Sequence, residues 1–189
     1  MLDTCIWISR SDPTRGVPKE LQAIRRLFEL EAERRVALAK ADTVDVERTE
    51  GVEEAEATRR ILDTAGTIEV FGPLVFDHSR LDHAVLGSPQ DDTGITRVLA
   101  LVHPGTRREE TSRKARHNVR DALHIWTAIR YHYQVFVTTD RAVLASAGRF
   151  RQQSDLAIEI LSPTEAVSWV ERAVAKEQLR EERRRKLEL

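Results

Sequence analysis

Three aspartates stand next to apolar runs in this sequence, and their spacing would allow the folded chain to bring them together. Asp3 follows Leu2 at the start of the chain, and Asp140 follows the run "QVFVTT". If the residues from Asp121 to His132 form a helix, that helix spans roughly 18 Å. The run itself, as an extended strand, returns about 20 Å. The spacing therefore predicts that Asp140 lies beside Asp121.

Carboxylates held together in this way favour a divalent cation. Two unpaired carboxylates repel each other unless a cation or a shared proton compensates. If Leu2 ends a first, central strand parallel to "QVFVTT", Asp3 emerges at the same edge of the sheet as Asp140. Mg²⁺ and Mn²⁺ prefer carboxylate oxygens, so a metal site is expected there. A structural interpretation stays open, in which Asp121 favours the positive end of its helix and Asp140 only caps the next one.

A fourth acid is expected from a helix packed nearby. The stretch "ADTVDVERTEG" supplies Glu47, with Asp45 and Glu50 as competitors for the same role. Acidic residues are common in a first helical turn, so this position is the least specific of the four.

Alternating strand and helix patterns surround these acids and predict an α/β layered domain with a mostly parallel sheet. Strands are expected in "RVALAKAD", "TIEVF", "QVFVTT" and "LAIEIL". Helices are expected from residue 21, over 42–65 with Gly66 as its cap, around 80–86 and 94–102, in "NVRDALHIWTAIRYH" and in "RAVLASA". Ser162 and Glu165 form a capping-box signature for the last helix.

Composition limits the classes of protein to consider. The 189 residues are 41% hydrophobic and 32% charged, and no stretch approaches a membrane span, so a soluble, cytoplasmic protein is expected. The net charge of −1 excludes nucleic-acid binding through global charge alone. One local patch stands out and is either a solvated linker or a polyanion contact: Arg107, Arg108, Arg113, Lys114, Arg116 and Arg120.

The motifs around the acids resemble a known family, the PIN domains, and in particular the VapC-like ribonuclease toxins of toxin–antitoxin pairs. "LDTCIWIS" is similar to the family's opening motif, and "NVRDALHIWTA" to the stretch that carries its third acid. "VFVTTDRAVL" resembles the strand that ends in the fourth acid, and "IEILSPTEAV" the closing strand and helix. The resemblance implies a three-layer α/β/α sandwich with a central, mostly parallel twisted sheet.

The resemblance also implies an activity and its residues. One or two Mg²⁺ or Mn²⁺ ions would be held by an acidic quartet and would promote hydrolysis of RNA phosphodiester bonds by an activated water. The implied partners are the RNA substrate, an antitoxin protein and a second copy in a homodimer, with no membrane. The metal ligands and catalytic residues would be Asp3, Glu47, Asp121 and Asp140, and the substrate contacts Thr4, Asn118, Arg120 and Thr139.

The limits of the domain are expectations that accompany this resemblance. A nuclease domain is expected over 1–168, with a helical and basic insertion at about 72–117, followed by a charged helical tail over 169–189. Cys5 stands where the family often has Asn, so a polar contact is expected to be lost or replaced. Trp126 stands where a small residue is usual, which predicts altered helix packing.

Other functions remain open at this stage. A non-catalytic PIN-like module would bind RNA or a protein, and a DNA nuclease or other phosphohydrolase would share the same site. His78, Asp82 and His83 are a weaker set of candidate transition-metal ligands, because they have no further ligand at a recognisable spacing. His124 is expected to be a packed residue rather than a general base, His117 and Asn118 to cap the Asp121 helix, and "QDDTG" to form a turn and cap.

Overall fold

The computed structural model describes residues 1–49, 53, 56, 67–75 and 84–187. Within these ranges the strands are β1 (Ala39–Ala41), β2 (Ile68–Val70), β3 (Val135–Val137) and β4 (Glu159–Leu161). The helices are α1 (Thr4–Ser11), α2 (Leu21–Ala32), α3 (Thr43–Thr49), α4 (Pro89–Val102), α5 (Arg113–Arg130), α6 (Arg141–Arg151) and α7 (Pro163–Leu187). The fold is mixed α/β with small parallel sheets, as the sequence pattern predicts.

The strands form two parallel pairs that the N-terminal residues join. β1 pairs with β2, and β3 pairs with β4. Between the pairs, the Leu2 N–H donates to the Ala39 carbonyl at 2.8 Å, and the Asp3 N–H donates to the Val137 carbonyl at 3.0 Å. Leu2 also forms a parallel bridge with Val137. The predicted place of Leu2 beside "QVFVTT" is confirmed, and the very short first strand that was expected is a single bridge.

Successive residues of the strands belong to two different apolar clusters. Phe136 and Ile160 lie in a cluster with residues of α4, α5 and α6, whereas Val137 and Leu161 lie in a cluster with residues of α1 and α2. Side chains of a strand alternate between its two faces, so the two clusters lie against opposite faces. Apolar helices therefore pack against both sides of the strands that carry the acids.

Several elements differ from the predicted ones. The helix α4 begins at Pro89, because Ser88 and Asp91 form a capping box, so "QDDTG" lies inside its first turns. Residues 84–86 are not helical, since Val85 forms a parallel bridge with Pro73. The parts of the predicted helices at 50–65 and 80–83, together with Gly66, His78, Asp82 and His83, fall outside the ranges described or outside any described element.

The last helix continues through the predicted domain limit at residue 168. The capping box is present: the Ser162 N–H donates to Glu165 Oε2 at 2.9 Å, and the Glu165 N–H donates to Ser162 Oγ at 3.3 Å. Val170 is buried beyond the limit, whereas residues 175–185 are exposed, as expected of a solvated tail. None of the helices in the described part of the chain has both the length and the apolar composition needed to cross a membrane.

Candidate functional site

A cavity of about 710 Å³ lies where the N-terminus of α1, α3, α5 and the end of β3 meet. All four predicted metal ligands line it, and each comes from a different segment of the chain. The cavity also has a basic side, formed mainly by one helix. The acidic residues are Asp3, Glu47, Asp121 and Asp140, and the basic ones are Arg15, Arg113, Lys114, Arg116, His117 and Arg120.

Asp3 is fixed by hydrogen bonds to its carboxylate. Oδ1 accepts the Thr4 N–H at 2.7 Å, which caps α1, and Oδ2 accepts the Thr138 hydroxyl at 2.5 Å. The Cys5 thiol donates to Oδ2 at 3.3 Å, and His124 Nδ1 lies 3.4 Å from Oδ1. Burial opposes ionisation, but His124 and Thr138 outweigh it and hold the pKa of Asp3 below its ordinary value.

Asp140 follows β3 and caps α6. Its Oδ1 accepts the N–H groups of Ala142 and Val143 at 2.7 and 3.0 Å, which confirms the predicted capping role. Its own N–H donates to Thr138 Oγ1 at 2.9 Å. Since the same hydroxyl donates to Asp3, one threonine connects the first and fourth acids of the set.

Asp121 lies in the third turn of α5, not at a helix N-terminus as predicted. The helix begins at Arg113, where Ser112 Oγ accepts the Ala115 N–H at 3.1 Å. The predicted capping roles of His117 and Asn118 are therefore wrong. His103 Nε2 lies 2.8 Å from Asp121 Oδ2, and burial raises the pKa of Asp121 despite this contact.

Glu47 comes from α3 and lies opposite Asp121. Its Oε2 accepts the Thr4 hydroxyl, while Oε1 is buried and has no hydrogen-bond partner among the described residues. Burial raises the pKa of Glu47, but the charge of His124 and contacts with His117 and Thr4 bring it below its ordinary value. Of the competitors, Asp45 is bound by Lys40 Nζ at 2.6 Å and does not line the cavity. Glu50 lies outside the described residues.

Two histidines supply positive charge to the acids. His117 is 59% exposed and lies between Glu47 and Asp121, and its pKa rises to about 9 because Glu47 and Asp121 attract the proton more than burial disfavours it. His124 is 1% exposed, as its predicted packing role requires. Burial lowers the pKa of His124, but Glu47 and Asp3 outweigh burial and raise it to about 9.

The spacing of these histidines in the sequence indicates that they lie on the same helical face as Asp121. His117, Asp121 and His124 stand four and three residues apart, the spacing of neighbours on one helical face. Ligand atoms of Glu47, His117 and Asp121 all lie within 4.8 Å of one another. The helical spacing could have placed His117 beside the acids, whereas the contact from His103 depends on a tertiary approach that the spacing does not encode.

The basic stretch forms one side of the cavity. Arg113, Arg116 and Arg120 recur at three- and four-residue spacing, so they share the face of α5 that carries Asp121. The alternative of a linker is wrong for residues 113–120, which are helical. Four basic residues of the patch line the cavity: Arg113, Lys114, Arg116 and Arg120. Arg108 instead pairs with Asp92 outside the cavity.

The predicted substrate contacts divide into two groups. Thr4 and Arg120 line the cavity, although the Thr4 hydroxyl is used to hold Glu47. Asn118 turns away and donates to Thr106 Oγ1 at 2.8 Å. Thr139 is not among the lining residues, and its N–H donates to Cys5 Sγ at 3.3 Å.

Cys5, where a polar contact was expected to be lost or replaced, makes polar contacts of its own. Its thiol donates to Asp3 and accepts from Thr139. Burial, together with the negative charge of Asp3, raises the pKa of Cys5 to about 12. The thiol therefore stays protonated at neutral pH and does not serve as a nucleophile.

The cavity combines carboxylate oxygens, which suit a hard cation, with basic side chains, which suit phosphate groups. Comparison with protein-family models, curated proteins and solved structures gives no match for this chain. The resemblance to PIN domains therefore stays a prediction from the motifs, and the functional proposal depends on the site.

Proposed function

We propose that this protein is a metal-dependent endoribonuclease that hydrolyses RNA phosphodiester bonds at the cavity described above. The observation that carries the proposal is the convergence of Asp3, Glu47, Asp121 and Asp140 on one cavity whose other side is basic. Four neighbouring carboxylates favour a bound cation, and the basic side favours a polyanion. A polyanionic substrate would thus meet a bound cation within the same cavity.

The residues of the cavity fit a divalent cation. Glu47 Oε1 is a buried oxygen without a hydrogen-bond partner among the residues described, and such an atom is costly unless a ligand satisfies it. Asp3, Glu47, Asp121 and Asp140 would hold Mg²⁺ or Mn²⁺, both of which prefer carboxylate oxygens. When bound, the cation would polarise the phosphate and lower the pKa of a water molecule.

The chain's own residues bind and position the substrate. Arg113, Lys114, Arg116 and Arg120 would contact phosphate oxygens along α5 and hold the backbone of the nucleic acid near the acids. Phosphate contacts of this kind position the substrate without reading its sequence. Because the only cysteine, Cys5, stays protonated, we assign the attack to water and not to a thiol of the protein.

We extend the proposal to the fold and the partners. The alternation of strand residues between two apolar clusters supports a three-layer α/β/α arrangement of the PIN type. A role as the toxin of a toxin–antitoxin pair, restrained by an antitoxin and acting in the cytoplasm as a homodimer, rests on the resemblance of the motifs.

The proposal is tested by cleavage of labelled RNA. We expect the full chain to cut RNA in the presence of Mg²⁺ or Mn²⁺, and chelation or Asp121→Asn to abolish the cleavage. A matched control is Asp155→Asn, since Asp155 is an exposed aspartate paired with Arg97 away from the cavity. Cleavage that survives both chelation and Asp121→Asn would contradict the metal mechanism. A single-stranded DNA of the same sequence, assayed in parallel, separates a ribonuclease from a DNA nuclease.

A second candidate is a non-catalytic module that binds RNA or a protein. The observation that favours it is that protein donors already engage both carboxylate oxygens of Asp3 and one oxygen of Asp140. Stable RNA binding without cleavage under every metal condition, by folded protein free of an antitoxin, would support this candidate over the nuclease.

A further inference from the structure

His117 lies between two of the acids that line the cavity. Its Nδ1 is 3.6 Å from Glu47 Oε1, and its Nε2 is 3.8 Å from Asp121 Oδ1. Both distances exceed those of ordinary hydrogen bonds, so the ring contacts the two carboxylates only as ion pairs, when it is protonated. Ligand atoms of the three side chains lie within 4.8 Å of one another, which is close enough for one ion to contact all three.

In each of the two carboxylates, one oxygen contacts a neighbouring side chain. Glu47 Oε2 accepts the Thr4 hydroxyl, and Asp121 Oδ2 lies 2.8 Å from His103 Nε2. In each carboxylate the other oxygen, Oε1 or Oδ1, is the one that faces His117. Outer hydrogen bonds that fix one oxygen and leave the other oxygen for the ion are typical of metal ligands in proteins.

A separate observation indicates that something belongs between these side chains. The Glu47 side chain is nine-tenths buried, with 10% of its surface exposed, and its Oε1 has no hydrogen-bond partner within the described part of the chain. A buried carboxylate oxygen that has left water and gained no donor destabilises the fold. A cation at this position would satisfy that oxygen.

We propose that His117 is a nitrogen ligand of the cation held by Glu47 and Asp121, which makes the site selective for ions that bind imidazole well, such as Zn²⁺, over Mg²⁺. The inference deepens the proposed function, because it concerns the same cavity and assigns a ligand outside the acidic quartet. The ring of His117 is 59% exposed. A cation that binds the ring displaces its proton to solvent, because a histidine ligand is neutral.

The selectivity follows from ligand chemistry. Mg²⁺ binds oxygen ligands and water and gains little from imidazole, whereas Zn²⁺ and other transition ions bind imidazole nitrogen well. A site with one imidazole and two carboxylates therefore binds such ions more tightly than a site with carboxylates alone. Removal of the imidazole is expected to reduce Zn²⁺ affinity and to leave Mg²⁺ affinity nearly unchanged.

The first test is metal binding measured by calorimetry on the metal-free full chain, without RNA. We expect His117→Ala to weaken Zn²⁺ binding by about tenfold or more, the scale on which changes around a metal site act, and to change Mg²⁺ binding little. Since His117 is exposed, the variant should remain folded, which circular dichroism checks. His132→Asn is the matched control, because it removes an exposed imidazole that does not line this cavity. Equal affinities for the wild type and His117→Ala would overturn the proposal.

The second test observes the ligand directly and needs no stable variant. Pulsed electron paramagnetic resonance of Mn²⁺ bound to protein labelled with ¹⁵N-histidine should show nitrogen coupling, which His117→Gln should remove. Absence of coupling in the wild type, or its persistence in the variant, would contradict the assignment. Mg²⁺-dependent RNA cleavage without nitrogen coupling would reject this inference and leave the proposed function standing. Nitrogen coupling without any cleavage would reject the proposed function alone.

Discussion

At the scale of single residues, two threonine hydroxyls hold the acids of the cavity in place. Thr138 donates to Asp3, and Thr4 donates to Glu47. A neutral donor stabilises a carboxylate without adding a fixed charge, so the pair of hydroxyls orients two acids and leaves the cavity acidic. The positive charge near the acids comes instead from His117 and His124, which lie on one face of α5.

His124 makes the stability of the protein depend on pH in a defined direction. Its pKa rises from an ordinary 6.5 to about 9 in the fold, because Glu47 and Asp3 attract the proton strongly enough to overcome burial. A group with a raised pKa contributes its full stabilisation below the unfolded value and loses it as the pH rises through the folded value. The stabilisation from protonated His124 is therefore present below pH 6.5 and declines toward pH 9.

We predict that His124→Gln destabilises the metal-free protein most below pH 6.5, and that the difference from wild type shrinks as the pH approaches 9. Urea unfolding of both proteins at a series of pH values measures this difference in the free energy of unfolding. Comparing the two proteins cancels other titrating groups, such as the buried amino group of Met1, whose pKa falls to about 5. A difference in the free energy of unfolding that grows with pH would show that His124 is neutral in the fold.

The sequence predicted the positions of three acids better than it predicted the side chains that contact them. Asp3, Asp121 and Asp140 stand next to apolar runs, and the lengths of helix and strand are enough to bring them to one edge of a sheet. The contact of His103 with Asp121 joins the end of α4 to the middle of α5 through a loop. Loop paths do not follow from hydrophobic periodicity, so this residue was not predicted.

At the scale of elements, the start of α5 determines what faces the cavity. The sequence predicted this helix from residue 118, but it begins at Arg113. The five added residues, 113–117, are mostly basic, and a single apolar residue among them, Ala115, gives no periodic signal from which to predict a helix. With those residues in the helix, the basic side chains and Asp121 share one element, and the basic side of the cavity is fixed relative to the acids.

The packing of α4 on α5 depends on a close approach at Gly94. A methyl group added there would lie 2.3 Å from ring carbons of Trp126, whose Nε1–H also donates to Asp91 Oδ1 at 2.9 Å. The large residue at position 126, which was expected to alter helix packing, is thus matched by a glycine on the neighbouring helix. The sequence did not predict this pairing, because the two residues lie on different helices and their contact depends on the tertiary fold.

We predict that Gly94→Ala destabilises the protein by about 1 to 3 kcal/mol, the usual cost of overpacking. Gly148→Ala in α6 is the matched control, since an added methyl group there meets nothing within 4 Å. That control should stabilise the protein by about 0.5 to 1 kcal/mol, because alanine favours a helix more than glycine does. Urea unfolding measures both changes, and equal effects of the two substitutions would show that Trp126 moves freely.

At the scale of the whole molecule, positive and negative charges nearly cancel, although acidic and basic side chains are concentrated around the cavity. The net charge of −1 gives the protein no general attraction for nucleic acids. The cavity nevertheless places Arg113, Lys114, Arg116 and Arg120 on one side of four carboxylates. Phosphate binding is therefore expected only at this surface, and its strength should depend on the salt concentration.

We predict that Arg116→Gln weakens binding of single-stranded RNA to a similar extent for all sequences. It should also reduce the slope of log affinity against log salt concentration by about one, as expected when one phosphate contact is lost. Fluorescence anisotropy with chelator present measures binding while metal-dependent cleavage is prevented. Arg172→Gln is the matched control, because Arg172 is exposed on α7 and does not line the cavity. Equal salt slopes for the wild type and Arg116→Gln would place the RNA on another surface, and the basic side of the cavity would then have no role in binding it.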